Sequence, residues 1–125
     1  MGLFTRFEEI RAWQEARALT RQMYVLSDSG KFRHDFGLRD QIRRAAVSAM
    51  TNIAEGYDCE SPKEFARFLE IARRSAVEVQ SLLYVALDAG YVTQETFQTH
   101  IKQAQSVQKL IGGLRHAVLK RIQTP

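Results

Sequence analysis

Arg44, Ser48, Asn52 and Glu55 follow one another at spacings of four, four and three, which places a guanidinium, a hydroxyl, an amide and a carboxylate on one face of a helix. The stretch that holds them, Leu38 to Tyr57, is apolar on more than one side. Leu38, Ile42, Ala45, Ala49 and Ile53 form one stripe, while Ala46, Val47, Met50, Ala54 and Tyr57 cover neighbouring directions. Polar groups in such a helix suit either a satisfied network that fixes helix register or subunit contact, or a small-molecule pocket around Asn52 and Glu55. A buried Glu55 needs a cation or hydrogen-bond donors, because an isolated carboxylate in a core is too costly to keep ionised; Arg43, Arg44 or a residue of the following helix is placed to supply them. Gly56 reads as structural, either capping this helix or letting another backbone come close.

A second set of residues suggests phosphate chemistry. Residues 1–95 hold 13 Lys and Arg against 14 Asp and Glu, whereas residues 96–125 hold Lys102, Lys109, Arg115, Lys120 and Arg121 and no acid, so the positive excess comes from the last helix. At about 100 degrees per residue, Lys102, Lys109, His116 and Lys120 fall within about 40 degrees of one another, opposite a stripe of Phe97, Ala104, Ile111, Leu114, Val118 and Ile122. A cationic face of this kind tracks a phosphate backbone through salt-dependent contacts, and copies aligned in a closed ring multiply its charge. Arg67 and Arg74 on the third helix extend the candidate set. The plainer reading is a solvated, solubilising face, with Glu70 and Arg74 in the favourable i,i+4 order.

Enzymatic chemistry finds no footing in the residue pattern. His34, His100 and His116 are far apart, no Gly-rich phosphate loop or nucleophile elbow occurs, and the acidic pairs Glu8-Glu9 and Asp58 with Glu60 lack the Glu-x-x-His partners of a di-metal bundle. No catalytic residue, metal site or cofactor is expected. Cys59 is the one cysteine and reads as a bystander thiol.

Four helices must position these residues. The first runs from about Arg6 to Leu26 with Phe7, Ile10, Trp13, Ala16, Leu19, Met23 and Leu26 inward, and ends at Ser27-Asp28-Ser29-Gly30. After a linker over Lys31 to Phe36, Asp35 caps the second helix, which continues to Tyr57. Ser61-Pro62-Lys63-Glu64 has the form of a capping box and starts the third, whose Phe65, Leu69, Ala72, Ala76, Val79, Leu83 and Leu87 line one side and Phe68, Ile71, Leu82 and Val85 an adjoining one. Ala89-Gly90-Tyr91 ends it, and Thr93 starts a fourth that reaches Ile122. Connections this short predict an all-α, antiparallel up-down-up-down four-helix bundle in one domain, 1–125. The apolar breadth of helices two and three predicts a homo-oligomer. With no run of roughly 18 apolar residues and no signal-peptide pattern at the amino terminus, the expected location is the cytoplasm, without membrane contact.

At the residues of the second and third helices the sequence resembles the family of small proteins encoded within intervening sequences of bacterial 23S ribosomal RNA genes. The resemblance rests on Leu38, Gln41, Arg44, Ala45 and Ser48, the run Asn52 to Gly56, then Ser61, Lys63, Glu64, Phe65, Phe68, Leu69, Ile71, Ala72, Ser75 and Glu78, with Trp13 and the Gly90-Tyr91 pair outside them. It departs from the family pattern at Met50, where proline is common, at Asp58 and Cys59, where a glycine and a basic residue are common, and at Arg74 in place of glycine. The loss of a basic residue beside the motif shifts any nucleic-acid surface toward helix four. The family is similar in fold to accessory proteins of diversity-generating retroelements, so the resemblance implies a ring, a pentamer, that binds RNA or DNA. The alternative it leaves is a scaffold for a polymerase or processing enzyme.

Overall fold

Side-chain caps set the helix starts. In the computed structural model, which describes residues 4–123, Asp35 Oδ1 accepts from the Leu38 amide at 3.1 Å, Ser61 Oγ from the Glu64 amide at 3.0 Å and Thr93 Oγ1 from the Thr96 amide at 3.1 Å. The helices that result are α1 (Arg11–Ser27), α2 (Phe36–Tyr57), α3 (Pro62–Asp88) and α4 (Gln94–Gln123), with single 3-10 turns at Phe7–Glu9 and Phe32–His34. There is no strand among the described residues, so the class is all-α. Helix α3 packs along α2 on one side and α4 on the other, and α1 lies against α2 and, more lightly, α4. Leu19, Met23, Ile42, Ile53, Leu69, Val79, Leu83, Val107, Ile111 and Val118 are fully buried between them.

The α2–α3 contact is unusually close at Gly56. A Cβ built there would stand 2.7 Å from Phe68 Cβ and 2.9 Å from Phe65 Cδ1, so the glycine is required by the approach of α3 and not by its own backbone angles. From that point the two helices run in opposite senses: Gly56 meets Phe68, Ser48 meets Ser75 and Gln41 meets Glu78. Helices α1 and α2 are joined through Thr20, whose buried hydroxyl lies 2.9 Å from its own-helix carbonyl at Ala16 and 3.0 Å from the carbonyl of Ala46.

Three sequence expectations need correction. The first helix does not begin at Arg6: Thr5 donates from its amide and hydroxyl to the Glu9 carboxylate at 3.0 and 2.8 Å, Phe7–Glu9 forms a separate turn, and extended Ile10 precedes α1. The linker is not merely a connection, because Phe32 within it is fully buried and stacks on Tyr91 with ring centroids 5.3 Å apart. Along the second apolar line of α3 Leu82 is buried, while Ile71 and Val85 are 37% and 49% exposed in the protomer, which is the surplus apolar breadth from which a homo-oligomer is expected. Ile122, expected in the seam of α4, is also exposed.

Replacing Gly56 by alanine adds a methyl group that must displace Phe68 or Phe65. Overpacking of this kind costs about 1–3 kcal/mol, of which the better helix propensity of alanine returns at most about 1 kcal/mol. Gly56→Ala should therefore lower stability in a urea melt, with a reduced midpoint and an unchanged slope.

Candidate functional site

The polar face of α2 is a chain of hydrogen bonds into α3. Asn52 Nδ2 donates to Ser48 O at 2.9 Å and to Ser48 Oγ at 3.0 Å, and Ser48 Oγ lies 2.8 Å from Ser75 Oγ. Ser75 Oγ donates to the Ile71 carbonyl at 3.0 Å, which commits its proton and makes Ser48 the donor of the pair. The direction thus runs Asn52 to Ser48 to Ser75 to Ile71. Glu55 does not join it and is exposed, so the cation that a buried carboxylate would need is not called for. Arg43 is occupied elsewhere: its Nε donates to Ser27 Oγ at 2.8 Å and its guanidinium lies over the Tyr24 ring at 4.6 Å. Arg44 is exposed and, with Tyr24, Arg43, Val47 and Ser48, borders an open groove of ≈ 570 Å³.

The cations of α4 divide into two populations. Lys102, Lys109, Lys120 and Arg121 are exposed. Arg115 is half-buried on the opposite side, where it lines a groove of ≈ 500 Å³ with Lys63, Arg67, Glu70, Arg74 and Leu119, and its buried Nε has no hydrogen-bond partner. The helical wheel already held that signal: Arg115 falls about 140 degrees from Lys102 and Lys120, on the seam side. Residue counting alone merged it with the outer face.

Acidic neighbours engage the arginines of α3. Arg67 Nε donates to Glu64 Oε2 at 2.8 Å, which takes that carboxylate into an ion pair with the next turn, and the same hydrogen bond holds the guanidinium above its usual range. Arg73, which sequence reading did not single out, binds both oxygens of Glu70 at 2.7 and 3.1 Å, and Arg74 approaches the same carboxylate at 3.7 Å. The Arg73 hydrogen bond, followed by the charges of Arg73, Arg115 and Arg74, holds the Glu70 carboxyl below the ordinary value of 4.5 despite its partial burial. At the far end of the bundle Tyr91 Oη donates to Asp35 Oδ2 at 2.8 Å, and that bond raises the phenol above its usual 10.0.

Among the described residues no three His, Cys, Asp or Glu side chains gather to hold a metal ion, and no helix is long and apolar enough to cross a membrane. His34 and His116 are exposed, while His100 is buried against Gln103, its Nδ1 3.3 Å from Oε1. What the geometry defines is a four-helix protein with a polar cross-link between α2 and α3 and two separate cationic surfaces.

Residues 8–113 match the family described as 23S rRNA-intervening sequence protein, and the chain belongs to that family. It is similar to a solved structure of a protein of unknown function from the S23 ribosomal protein family of Bacteroides thetaiotaomicron. The TM-score is 0.77 at 20% identity over 84% of this chain and 95% of that one, a likeness of fold. No curated protein shows significant similarity to the chain.

Two tests bear on this geometry. Ser48→Ala and Ser75→Ala should each cost about 1 kcal/mol, and the double variant should cost less than their sum, because either change breaks the same proton-donation chain; urea melts of the cycle measure the coupling. For Glu70, the folded carboxyl lies below its unfolded value, so its stabilisation is present above the unfolded value and is lost as pH falls through the folded one. Glu70→Gln should melt below the native protein at pH 7, with the gap closing in acid below 4.5.

Proposed function

We propose that this protein is a non-catalytic, oligomeric helical bundle of the cytoplasm that binds nucleic acid, RNA or DNA, mainly through phosphate contacts. The observation that supports this most is the exposed row of Lys102, Lys109 and Lys120, with Arg121 beside it, on a helix that carries one acid, Glu95, in its first turn and none after it. On this reading the helices alternate up and down and copies close into a ring, a pentamer by family likeness, so that the α4 faces of several protomers act on one strand. Ile71, Val77, Tyr84 and Val85, all on α3 and at least one third exposed, are apolar surface that favours a second copy. The cross-link through Ser48, Asn52 and Ser75 serves the register of α2 on α3 in this reading, and Gly56 serves their approach.

Lys and Arg on a phosphate backbone give an affinity that falls with salt, with a slope of about 0.7 to 0.9 per neutralised phosphate. The test is a salt series with a structured RNA and a duplex DNA, using native protein and a K102E/K109E/K120E variant of the same oligomeric mass. Salt-dependent binding by the native oligomer, with a shallower slope and weaker affinity in the variant, is expected. Absence of binding at low salt would overturn the reading and favour a scaffold that serves a polymerase or processing enzyme through protein contacts alone.

A further inference from the structure

The guanidinium of Arg115 has a buried N–H with nothing to donate to. A native structure rarely keeps such a group, because a desolvated, unpaired donor is costly and long apolar side chains fill the same space without that cost. Only Nε is shut off in this way, and Arg115 itself lines a groove. Its rim carries Lys63, Arg67, Arg74 and Arg115 against two carboxylates, Glu64 and Glu70. Neither carboxylate bonds Arg115 Nε: Glu64 accepts from Arg67 at 2.8 Å, and both oxygens of Glu70 accept from Arg73, which lies outside the groove, at 2.7 and 3.1 Å. Arg74 sits only loosely on Glu70, at 3.7 Å with its side chain 74% exposed. Three cations, Lys63, Arg74 and Arg115, therefore face a space of ≈ 500 Å³ with no anion of the chain committed to them at hydrogen-bonding distance. Ile71 and Leu119 give that space an apolar wall.

We infer that this groove between the start of α3 and the last turns of α4 is a discrete site for a phosphate group, with the Arg115 guanidinium as its inner contact and Arg74 and Lys63 as its flexible outer contacts. A guanidinium presents fixed N–H donors in a planar fork that matches phosphate oxygens, and two outer charges balance the second negative charge of a phosphate monoester. The site lies on the opposite side of α4 from Lys102 and Lys120 and does not depend on their binding a strand. Phosphate reaches it either as a free phosphate or monoester, or as the terminal phosphate of an oligonucleotide; the chemistry recognised is the same.

The measurement is the Arg115 Nε–H resonance of the native oligomer, assigned by its loss in Arg115→Lys, during titration with inorganic phosphate and, at matched ionic strength, acetate. The expected result is a saturable shift with phosphate and not with acetate, at concentrations up to about 10 mM, enough to fill a site of millimolar affinity. Arg115→Met should weaken phosphate binding about tenfold or more, as loss of a charge-assisted hydrogen bond requires. It should also melt no lower than the native protein in phosphate-free buffer, since it removes an unpaired buried donor. The K102E/K109E/K120E variant should keep the site. A 5′-phosphorylated oligonucleotide that competes where its unphosphorylated twin does not assigns the group to a strand end; failure of both to compete assigns it to a free phosphate or monoester. An Nε resonance unmoved by phosphate, an unchanged phosphate affinity in Arg115→Met, or an Arg115→Met protein less stable than native without phosphate would each overturn the inference.

Discussion

The approach of α2 to α3 at Gly56 is the constraint from which the rest of this molecule follows. With no side chain on Gly56, Phe65 and Phe68 press directly onto the α2 backbone, and a Cβ there would sit 2.7 Å from its neighbour. Helices that start this close at one end remain close for several turns, which is what allows two short hydroxyl side chains, Ser48 and Ser75, to meet at 2.8 Å. Larger side chains at the contact would widen the gap between the axes and carry two short hydroxyls out of hydrogen-bonding reach. The polar chain from Asn52 to the Ile71 carbonyl is thus a consequence of the glycine contact and also its guarantee of register, because sliding α3 along α2 would part the two hydroxyls.

Helix α3 then divides its circumference among several demands. One side is committed to α2, another to α4, and the remaining face mixes arginine–glutamate pairs with half-exposed apolar side chains at Ile71, Val77 and Val85. The pairing of Glu70 with Arg73 offsets the charge of a carboxylate that shares a groove with Arg115, and Arg115 is left with attraction at a distance but no bond at Nε. On α4 the positive charge is accordingly of two kinds: lysines in water, whose field is screened within about 8–10 Å at ordinary salt, and one partly desolvated guanidinium whose interactions salt reaches less. A phosphate held by the first kind is tracked, and one held by the second is positioned.

Much of this was legible in the residues. Asp35, Ser61 and Thr93 act as caps where their types and spacing placed them, and α2, α3 and α4 begin within a residue of the expected points, because capping is a local interaction that sequence encodes directly. The break at Ile10 was not legible, since it depends on Glu9 folding back onto Thr5 in competition with a continuous helix. Phe32 escaped for a different reason: a lone aromatic in a linker has no period, and its burial is settled by Tyr91, far away in sequence. At the candidate site the face shared by Ser48 and Asn52 could be read, but Glu55 proved to be exposed and Ser75 entered as the missing partner. Which helix a side chain meets is a tertiary fact, whereas which side of its own helix it occupies is not, and so the separate position of Arg115 was open to reading all along.

The carboxylate of Asp35 joins two events that chain connectivity keeps apart. One oxygen holds the first turn of α2 through the Leu38 amide, and the other holds Tyr91, at a sequence separation of 56, just ahead of α4. Phe32 stacked on the same ring closes the arrangement. Fraying at the start of α2 and loosening of the α3–α4 connection each take one bond from the same carboxylate, which links the two segments. The Leu38 amide, by the rate at which it trades its hydrogen for solvent deuterium, reports on whether Asp35 is held in the place where it meets Tyr91.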